Sequence, residues 1–192
     1  EEINEGYSSI REPGLSDLIS NNKSRIKATS DFSVVQSCKV VIVTVGTPLN
    51  EDFSPNNEQI VLAAKTIAPY LGEDTLIILK STVPPRTTRD IVYPILSSSN
   101  KASIMLSFCP ERLAEGSAIN EFKKIPVVVG GINSRSMHFA SEFWKHSMDL
   151  ETILMEDTTS AELVKLADNL WIDLNIALAN EIAIISDKLN LD

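Results

Sequence analysis

Four short apolar runs, each of strand length, recur along the chain and are separated by longer stretches in which apolar residues have helical spacing. The runs cover residues 39–45, 76–79, 103–108 and 125–131. The first is β-branched and nearly continuous, which is typical of a strand buried on both faces. Helices are expected at about 56–71, 87–96 and 134–146. This alternation predicts an α/β fold with βαβ units, a parallel sheet and helices on both faces.

The two ends of the chain depart from this alternation. The beginning is helix-like, and Ser30 and Asp31 suit the N-cap of a short helix leading into the strand at Val40. Residues 158–191 contain no Pro or Gly, which predicts one helix on the order of 45 Å long. We therefore expect a doubly wound domain over 1–157, and over 158–192 a long connecting helix that begins a central helical domain.

One familiar part of a doubly wound nucleotide-binding domain is missing from the pattern. Such domains open with a strand, a Gly-rich turn and a phosphate-facing helix, but no GxGxxG occurs in this sequence. Either the dinucleotide interpretation is wrong, or the first βαβ unit is missing from the chain, which leaves a partial Rossmann-like sheet.

Composition and charge exclude several classes of function. The 192 residues are 43 % hydrophobic and 22 % charged, which is typical of globular proteins. The net charge of −9 argues against nucleic-acid binding. Cys38 and Cys109 have no zinc-ligand spacing, so no metal is expected, and reduced thiols indicate a cytoplasmic location. Neither a secretory signal nor a membrane span is visible.

Candidate chemistry follows the predicted strands, because ligands bind at the carboxyl ends of strands in open α/β sheets. Thr82 precedes Val83 and Pro84; Pro84 restricts the chain there, so the hydroxyl either faces a ligand or caps a turn. Glu111 and Glu115 stand four apart behind Pro110, which suits the first turn of a helix. Such carboxylates serve as bases or ribose ligands, or simply favour a helix N-terminus.

The long helix carries a polar stripe made of Lys165, Asn169, Asp173 and Asn180, which fall within a sector of roughly 80°. A lysine with a neighbouring amide can stabilise a developing oxyanion. The alternative is a solvated face, with Glu162 and Lys165 as an ordinary ion pair.

Taken together and in order, these segments resemble the nucleotide-sugar 6-dehydrogenase family. The matching segments include Gly46-Thr47-Pro48, Ser81-Thr82-Val83-Pro84, Pro110-Glu111-Arg112-Leu113-Ala114-Glu115-Gly116 and Ala161-Glu162-Leu163-Val164-Lys165-Leu166-Ala167-Asp168-Asn169. The Pro-Glu-Arg segment and the Asn-Ile-Ala-Leu-Ala-Asn-Glu segment at 175–181 are most similar to the UDP-N-acetyl-D-mannosamine branch. UDP-glucose and UDP-N-acetylglucosamine rank next as substrates.

The resemblance implies NAD-dependent oxidation of a UDP-sugar primary alcohol to a carboxylate, in two steps through a cysteine thioester. By the same resemblance, Thr82 and Glu111 position the attacking water, and Lys165 and Asn169 hold the oxyanion. Arg112 and Leu113 join Glu111, Lys165 and Asn169 in binding the UDP-sugar. The residues implied to line the NAD site are Val45, Thr47, Pro48, Ser81, Thr82 and Glu115.

The departures from the family pattern define further expectations. The family's Gly-rich turn would precede Glu1 and its nucleophilic cysteine would follow Asp192, so we expect an internal fragment that is inactive alone. Arg86 stands where the family usually has glycine, and Ile172 stands where the mannosamine enzymes usually have arginine. We also expect a homodimer formed through the long helix.

Two alternatives stay open at this point. A 6-phosphogluconate or hydroxyacid type dehydrogenase shares the plan of a sheet followed by a long helix, but needs no thioester. A non-catalytic module that only binds a nucleotide sugar is the second alternative.

Overall fold

Strands form at all four predicted apolar runs, and a fifth follows them. The computed structural model describes residues 2–98, 104–114 and 116–191, so Ser103 of the third predicted run lies outside the described residues. The strands are β1 Val40–Val43, β2 Leu76–Leu79, β3 Met105–Phe108, β4 Val127–Gly131 and β5 Thr152–Leu154. The short β5 has no counterpart among the sequence predictions.

The five strands form one sheet in the order β1-β2-β3-β4-β5. β1, β2 and β3 are parallel to one another, as are β4 and β5. The prediction of a wholly parallel sheet is wrong at one place, because β4 runs antiparallel to β3. A parallel return needs a crossover that is usually a long helix, and the described part of the β3–β4 connection contains only one short helix, Ala118–Glu121.

Helices occupy the predicted stretches, although the helix at 58–67 is shorter than predicted and the one at 134–148 is two residues longer. They are α1 Glu2–Glu5, α2 Leu15–Asn21, α3 Glu58–Ile67, α4 Tyr93–Ser97, α5 Ala118–Glu121, α6 Ser134–Met148 and α7 Thr158–Leu189. The 3-10 turns are Lys23–Arg25, Phe32–Ser37 and Ala68–Tyr70, and a π-helical turn, Thr88–Val92, precedes α4. Asp31 caps the turn that leads into β1 by accepting a hydrogen bond from the Ser33 amide, as the sequence predicts.

The core lies on both faces of the sheet, which confirms the doubly wound architecture. Ile77 and Leu79 of β2 face one apolar cluster, and Leu76 and Ile78 face the other. This division follows from the alternation of side chains along a strand. The expected burial of the first strand on both faces is wrong, because β1 lies at the sheet edge and Ile42 is 37 % exposed.

The long helix α7 packs on the sheet only through its first turns. A Cβ at Gly130 of β4 would overlap the Asp157 carbonyl and the Ala161 side chain, so only glycine admits this approach. Asp157 caps α7 by accepting from the Ser160 amide at 2.8 Å. From Asn169 to Leu191 every residue except Ser186 is exposed. Within the described ranges, no helix is long and apolar enough to cross a bilayer.

Candidate functional site

The carboxyl ends of β1 and β2 are joined by side-chain hydrogen bonds. The Ser81 hydroxyl donates to the Val45 carbonyl at 2.6 Å, and the Thr47 hydroxyl donates to the Thr82 carbonyl at 2.7 Å. The structure therefore brings together four of the residues predicted to bind NAD. Both hydroxyl protons are committed to the backbone, so a ligand beside Thr47 would meet an acceptor oxygen.

A cleft of about 370 Å³ lies between these strand ends and α7. Thr47 and Thr82 line one side and Asn169 lines the other, together with Leu49, Pro55, Asn56, Asn57, Val83, Pro84, Pro85 and Leu166. The buried Oδ1 of Asn57 has no hydrogen-bond partner, so a ligand with a hydroxyl or amide donor would satisfy it. Pro48 does not line this cleft; it is exposed, and its carbonyl accepts from the Asn56 amide.

A second cleft, of about 490 Å³, shares Asn169 with the first and contains Lys165. It also contains Arg112 and Lys124, with Trp171 and Ile172 among its apolar residues. Arg112 donates through Nε to Asp168 at 2.6 Å. Three cations and one carboxylate give this surface a positive charge in a chain whose net charge is −9. Such a surface suits an anionic ligand.

Glu111 lies in a segment without regular structure, not in a helix as predicted. Its Oε1 accepts from the amides of Arg112 and Leu113 at 2.8 and 2.9 Å. A side chain that takes up the following amides competes with helix formation. The argument from the four-residue spacing therefore fails, and Glu115 lies outside the described residues.

Lys80 holds the other oxygen of Glu111. Its Nζ lies 3.4 Å from Oε2 and 5.0 Å from the centre of the Trp144 ring. These residues line a small concavity with Arg112 and Leu113. Sequence reasoning missed Lys80, although it directly precedes the Ser81-Thr82 segment.

The predicted catalytic residues are thus spread along three neighbouring depressions that share residues. Thr82 and Asn169 line the first cleft, Lys165 and Asn169 line the second, and Glu111 lines the third. Arg112 belongs to both the second and the third. Of the polar stripe, Asp173 and Asn180 are exposed on the projecting part of α7.

Glu162 lies beside the site in an environment that the sequence does not predict. Its side chain is fully buried and accepts from the Arg86 amide at 2.5 Å, the Thr88 amide at 2.8 Å and the Thr88 hydroxyl at 2.6 Å. Burial raises the pKa of this carboxyl, and the hydrogen bonds from Thr88 and Arg86 oppose the rise. The alternative of a solvent-exposed Glu162–Lys165 pair is wrong. Its partners are 74 and 76 residues away, so no local pattern reveals them.

Neither thiol is placed for nucleophilic chemistry. Cys109 is fully buried, and burial raises its pKa to about 12. The Cys38 thiol donates to the Val34 carbonyl at 3.4 Å, before the amino end of β1. No group of three metal-ligating side chains occurs in the ranges that the structure describes.

Comparison with known families gives two adjoining matches. The NAD binding domain of the UDP-glucose/GDP-mannose dehydrogenase family matches residues 1–148. The central domain of the same family matches residues 159–192.

Individual relatives agree with these matches. A UDP-N-acetyl-D-mannosamine dehydrogenase of Methanococcus aeolicus is 34 % identical over 99 % of this chain and 43 % of its own length. A UDP-glucose dehydrogenase structure from Pyrobaculum islandicum has a TM-score of 0.90 and 29 % identity, covering 100 % of this chain and 46 % of that one. A ternary complex of GDP-mannose dehydrogenase from Pseudomonas aeruginosa has a TM-score of 0.88 and 26 % identity, and the match covers 99 % of this chain and 46 % of that one. The chain spans less than half the length of these relatives.

Proposed function

The chain belongs to the UDP-glucose/GDP-mannose dehydrogenase family, and from this premise we propose that it serves in the oxidation of a UDP-sugar primary alcohol to a uronic acid. UDP-N-acetyl-D-mannosamine is the first proposed substrate, because a relative of that name is 34 % identical over nearly the whole chain. UDP-glucose is the second, since a UDP-glucose dehydrogenase structure has the same fold with a TM-score of 0.90. The family match decides against the 6-phosphogluconate and hydroxyacid alternative.

The observation that carries the proposal is the cleft shared by Thr82 and Asn169. It joins the carboxyl ends of β1 and β2 to the helix that carries Lys165, which is where open α/β sheets bind ligands. The family is NAD-dependent, and the unpaired Asn57 Oδ1 with the acceptor oxygen of Thr47 fits the hydroxyl and amide donors of a nicotinamide riboside. Bound NAD⁺ supplies the hydride acceptor for each of two oxidations.

The cationic cleft is proposed to hold the nucleotide sugar. Lys165 and Asn169 donate to the oxygen on which negative charge develops, and two donors of this kind are the usual means of stabilising an oxyanion. Arg112 and Lys124 offset the negative charge of a diphosphate. Within the described residues Lys165 has no ion-pair partner, so its ammonium is free to meet the substrate.

Thr82 and Glu111 are proposed to orient the water that releases the acid. Glu111 is held by two amides on one oxygen and by Lys80 on the other. Because the carboxylate is fixed in this way, a water that it binds is also fixed. The thioester requires a thiolate that neither Cys38 nor Cys109 provides, so we propose that a residue beyond the described part of the chain supplies it.

The division into a nucleotide-binding domain over 1–157 and a connecting helix over 158–192 is also a proposal. It is supported by α7, which begins at Thr158 and is exposed from Asn169 onward apart from Ser186, and by the two family matches, which adjoin near this point. The homodimer through α7 and the cytoplasmic location stay predictions.

Activity of the whole protein tests this function directly. UDP-N-acetyl-D-mannosamine, UDP-glucose and UDP-N-acetylglucosamine are each supplied with excess NAD⁺, and NADH is counted per sugar consumed. Two NADH per sugar are expected, and Lys165→Ala should lower kcat by about 10²-fold or more, because it removes an oxyanion donor.

The same assay on the 192-residue chain should give no multiple turnover. Calorimetry on the whole protein then separates the remaining alternative, because binding of a UDP-sugar without turnover would indicate a nucleotide-sugar-binding module. Binding of neither NAD⁺ nor any UDP-sugar by the whole protein would refute both ideas.

A further inference from the structure

We propose that Glu162 is a positioning residue that holds the Thr82 loop in register with the helix carrying Lys165 and Asn169. This deepens the proposed function, on which only its kinetic consequence rests. The carboxylate lies on the first turns of α7 and binds the loop that follows β2 at two residues, Arg86 and Thr88.

The Glu162 carboxylate is held in one orientation, because two backbone amides and one hydroxyl donate to it. Both oxygens of Glu162 are engaged, one by the Arg86 amide and one by the amide and hydroxyl of Thr88. Arg86 adopts a left-handed backbone with φ of 78°, and such a turn points successive amides toward a common anion. Thr88 is itself fully buried, so water does not compete for the hydroxyl.

Helix geometry transmits this contact to the site. Lys165 and Asn169 follow Glu162 by three and seven residues, so they lie within about 60° of it around the helix. On the loop side, Thr82 precedes Arg86 by four residues across Pro84 and Pro85, whose φ angles are fixed by their rings. A short rigid path therefore runs from the Thr82 side of the cleft, through Glu162, to the Asn169 side.

Stability alone does not account for a carboxylate at this position. Removing such a group from water is costly, and a hydrophobic side chain of similar volume often serves a buried position at least as well. Glu162 neighbours Ala161, which belongs to the apolar cluster on one face of the sheet. What the carboxylate adds is direction, because it accepts only where donors are placed, whereas an apolar contact permits sliding.

Hydrogen exchange tests the contact in this chain without any substrate. In Glu162→Gln the new amide NH₂ opposes one of the donor groups, so the Arg86 and Thr88 amides should exchange at least about tenfold faster. Asn133→Ala is the control: it removes the N-cap of α6, where the side chain accepts from Ser136. That variant should loosen the start of α6 and leave the loop unchanged. Equal protection of Arg86 and Thr88 in Glu162→Gln and the wild type would overturn the proposal.

Kinetics of the whole protein tests the consequence. Glu162→Gln and Thr88→Val, which lacks the hydroxyl donor but keeps the shape, should lower kcat by about 10- to 100-fold with both KM values within about twofold. Thr88→Ser, which keeps the hydroxyl, should stay within about threefold of the wild type. Unchanged kcat in Glu162→Gln, or an equal fall in Asn133→Ala, would reduce Glu162 to a structural role. If the wild type oxidises no nucleotide sugar, the proposed function fails, and the exchange experiment alone decides the contact.

Discussion

Arg86 has a backbone conformation that glycine adopts more readily than arginine. Its φ of 78° lies in the left-handed region, and its side chain is exposed in an ion pair with Asp90 at 2.8 Å. A left-handed conformation costs a residue with a Cβ about 1 kcal/mol, whereas glycine adopts it freely. The sequence resemblance places glycine at this position, and the structure gives the physical reason.

A matched pair of substitutions measures this strain. Arg86→Gly and Arg86→Ala both remove the ion pair with Asp90, but only the second keeps the Cβ. We expect the glycine variant to be more stable than the alanine variant by about 1 kcal/mol, measured as the free energy of unfolding in urea. An alanine variant of equal or greater stability would show that the φ angle is not strained.

The two cysteines should differ sharply in reactivity. The Cys109 thiol is fully buried and its pKa is raised to about 12, so almost no thiolate exists at neutral pH. Cys38 is half-buried and partly reachable. An aromatic disulfide reagent at pH 8 should therefore label one thiol in the folded chain and two after unfolding. Cys38→Ser should abolish the fast reaction, and rapid labelling of that variant would contradict the burial of Cys109.

At the scale of the elements, the Glu162 contact between α7 and the loop after β2 makes stability depend on pH. Burial raises the pKa of Glu162 above its ordinary value of 4.5, and the charge of Asp157 adds to the rise. The folded state then holds this proton more tightly than the unfolded state. The stability contributed by protonation is complete below pH 4.5 and is lost as the pH rises through the raised pKa.

Unfolding in urea between pH 4 and pH 7 checks the sign. The free energy of unfolding of Glu162→Gln, relative to the wild type, should rise as the pH increases, because the variant has no proton to lose. Glu181→Gln, which removes an exposed charge from the same helix, should show no such trend. A relative stability that falls with pH would mean that the hydrogen bonds from Thr88 and Arg86 dominate over burial.

The elements also show what a sequence can and cannot specify here. β2 begins and ends at the predicted residues 76 and 79, because polar residues bound the short apolar run on both sides, with Asp74 and Thr75 before it and Lys80 after it. The direction of β4 was not predictable from its own residues, since it depends on the connection after β3. The helix expected at Glu111 does not form, because the Glu111 carboxylate accepts hydrogen bonds from the next two backbone amides.

Some residues of the candidate site were predictable from the sequence, and others were not. Thr82 follows a strand whose end is marked by proline, and Lys165 and Asn169 lie on one face of a helix with regular spacing. Their placement near the carboxyl ends of the strands was therefore predictable. Glu162 and Lys80 act through partners that are remote in sequence, such as Thr88 and Glu111. Their roles emerge only once the strands are in register.

At the scale of the whole molecule, the dominant feature is the exposed apolar surface of α7. Leu170, Leu174, Leu178 and Ile182 are each 55–59 % exposed and recur every four residues. Side chains with this spacing form a ridge that packs into the groove of another helix. An apolar ridge of this length is unusual on a free surface and marks an interaction site. A second copy of the chain carries the same ridge, so two copies can pack ridge against ridge in a two-fold symmetric dimer.

We therefore expect the chain to self-associate, with sedimentation velocity giving twice the monomer mass at about 50 μM, a concentration above the μM-to-pM range of Kd that is typical of standard-size interfaces. Leu174→Glu places an unpaired charge in the interface and should shift the population to monomer. Asn180→Glu adds the same charge at an exposed polar position of α7 and should leave the dimer intact. A wild type that sediments as a monomer up to this concentration would assign the ridge to another part of the protein. A dimer that survives Leu174→Glu would place the interface elsewhere on the chain, because the substituted residue lies at the centre of the exposed ridge.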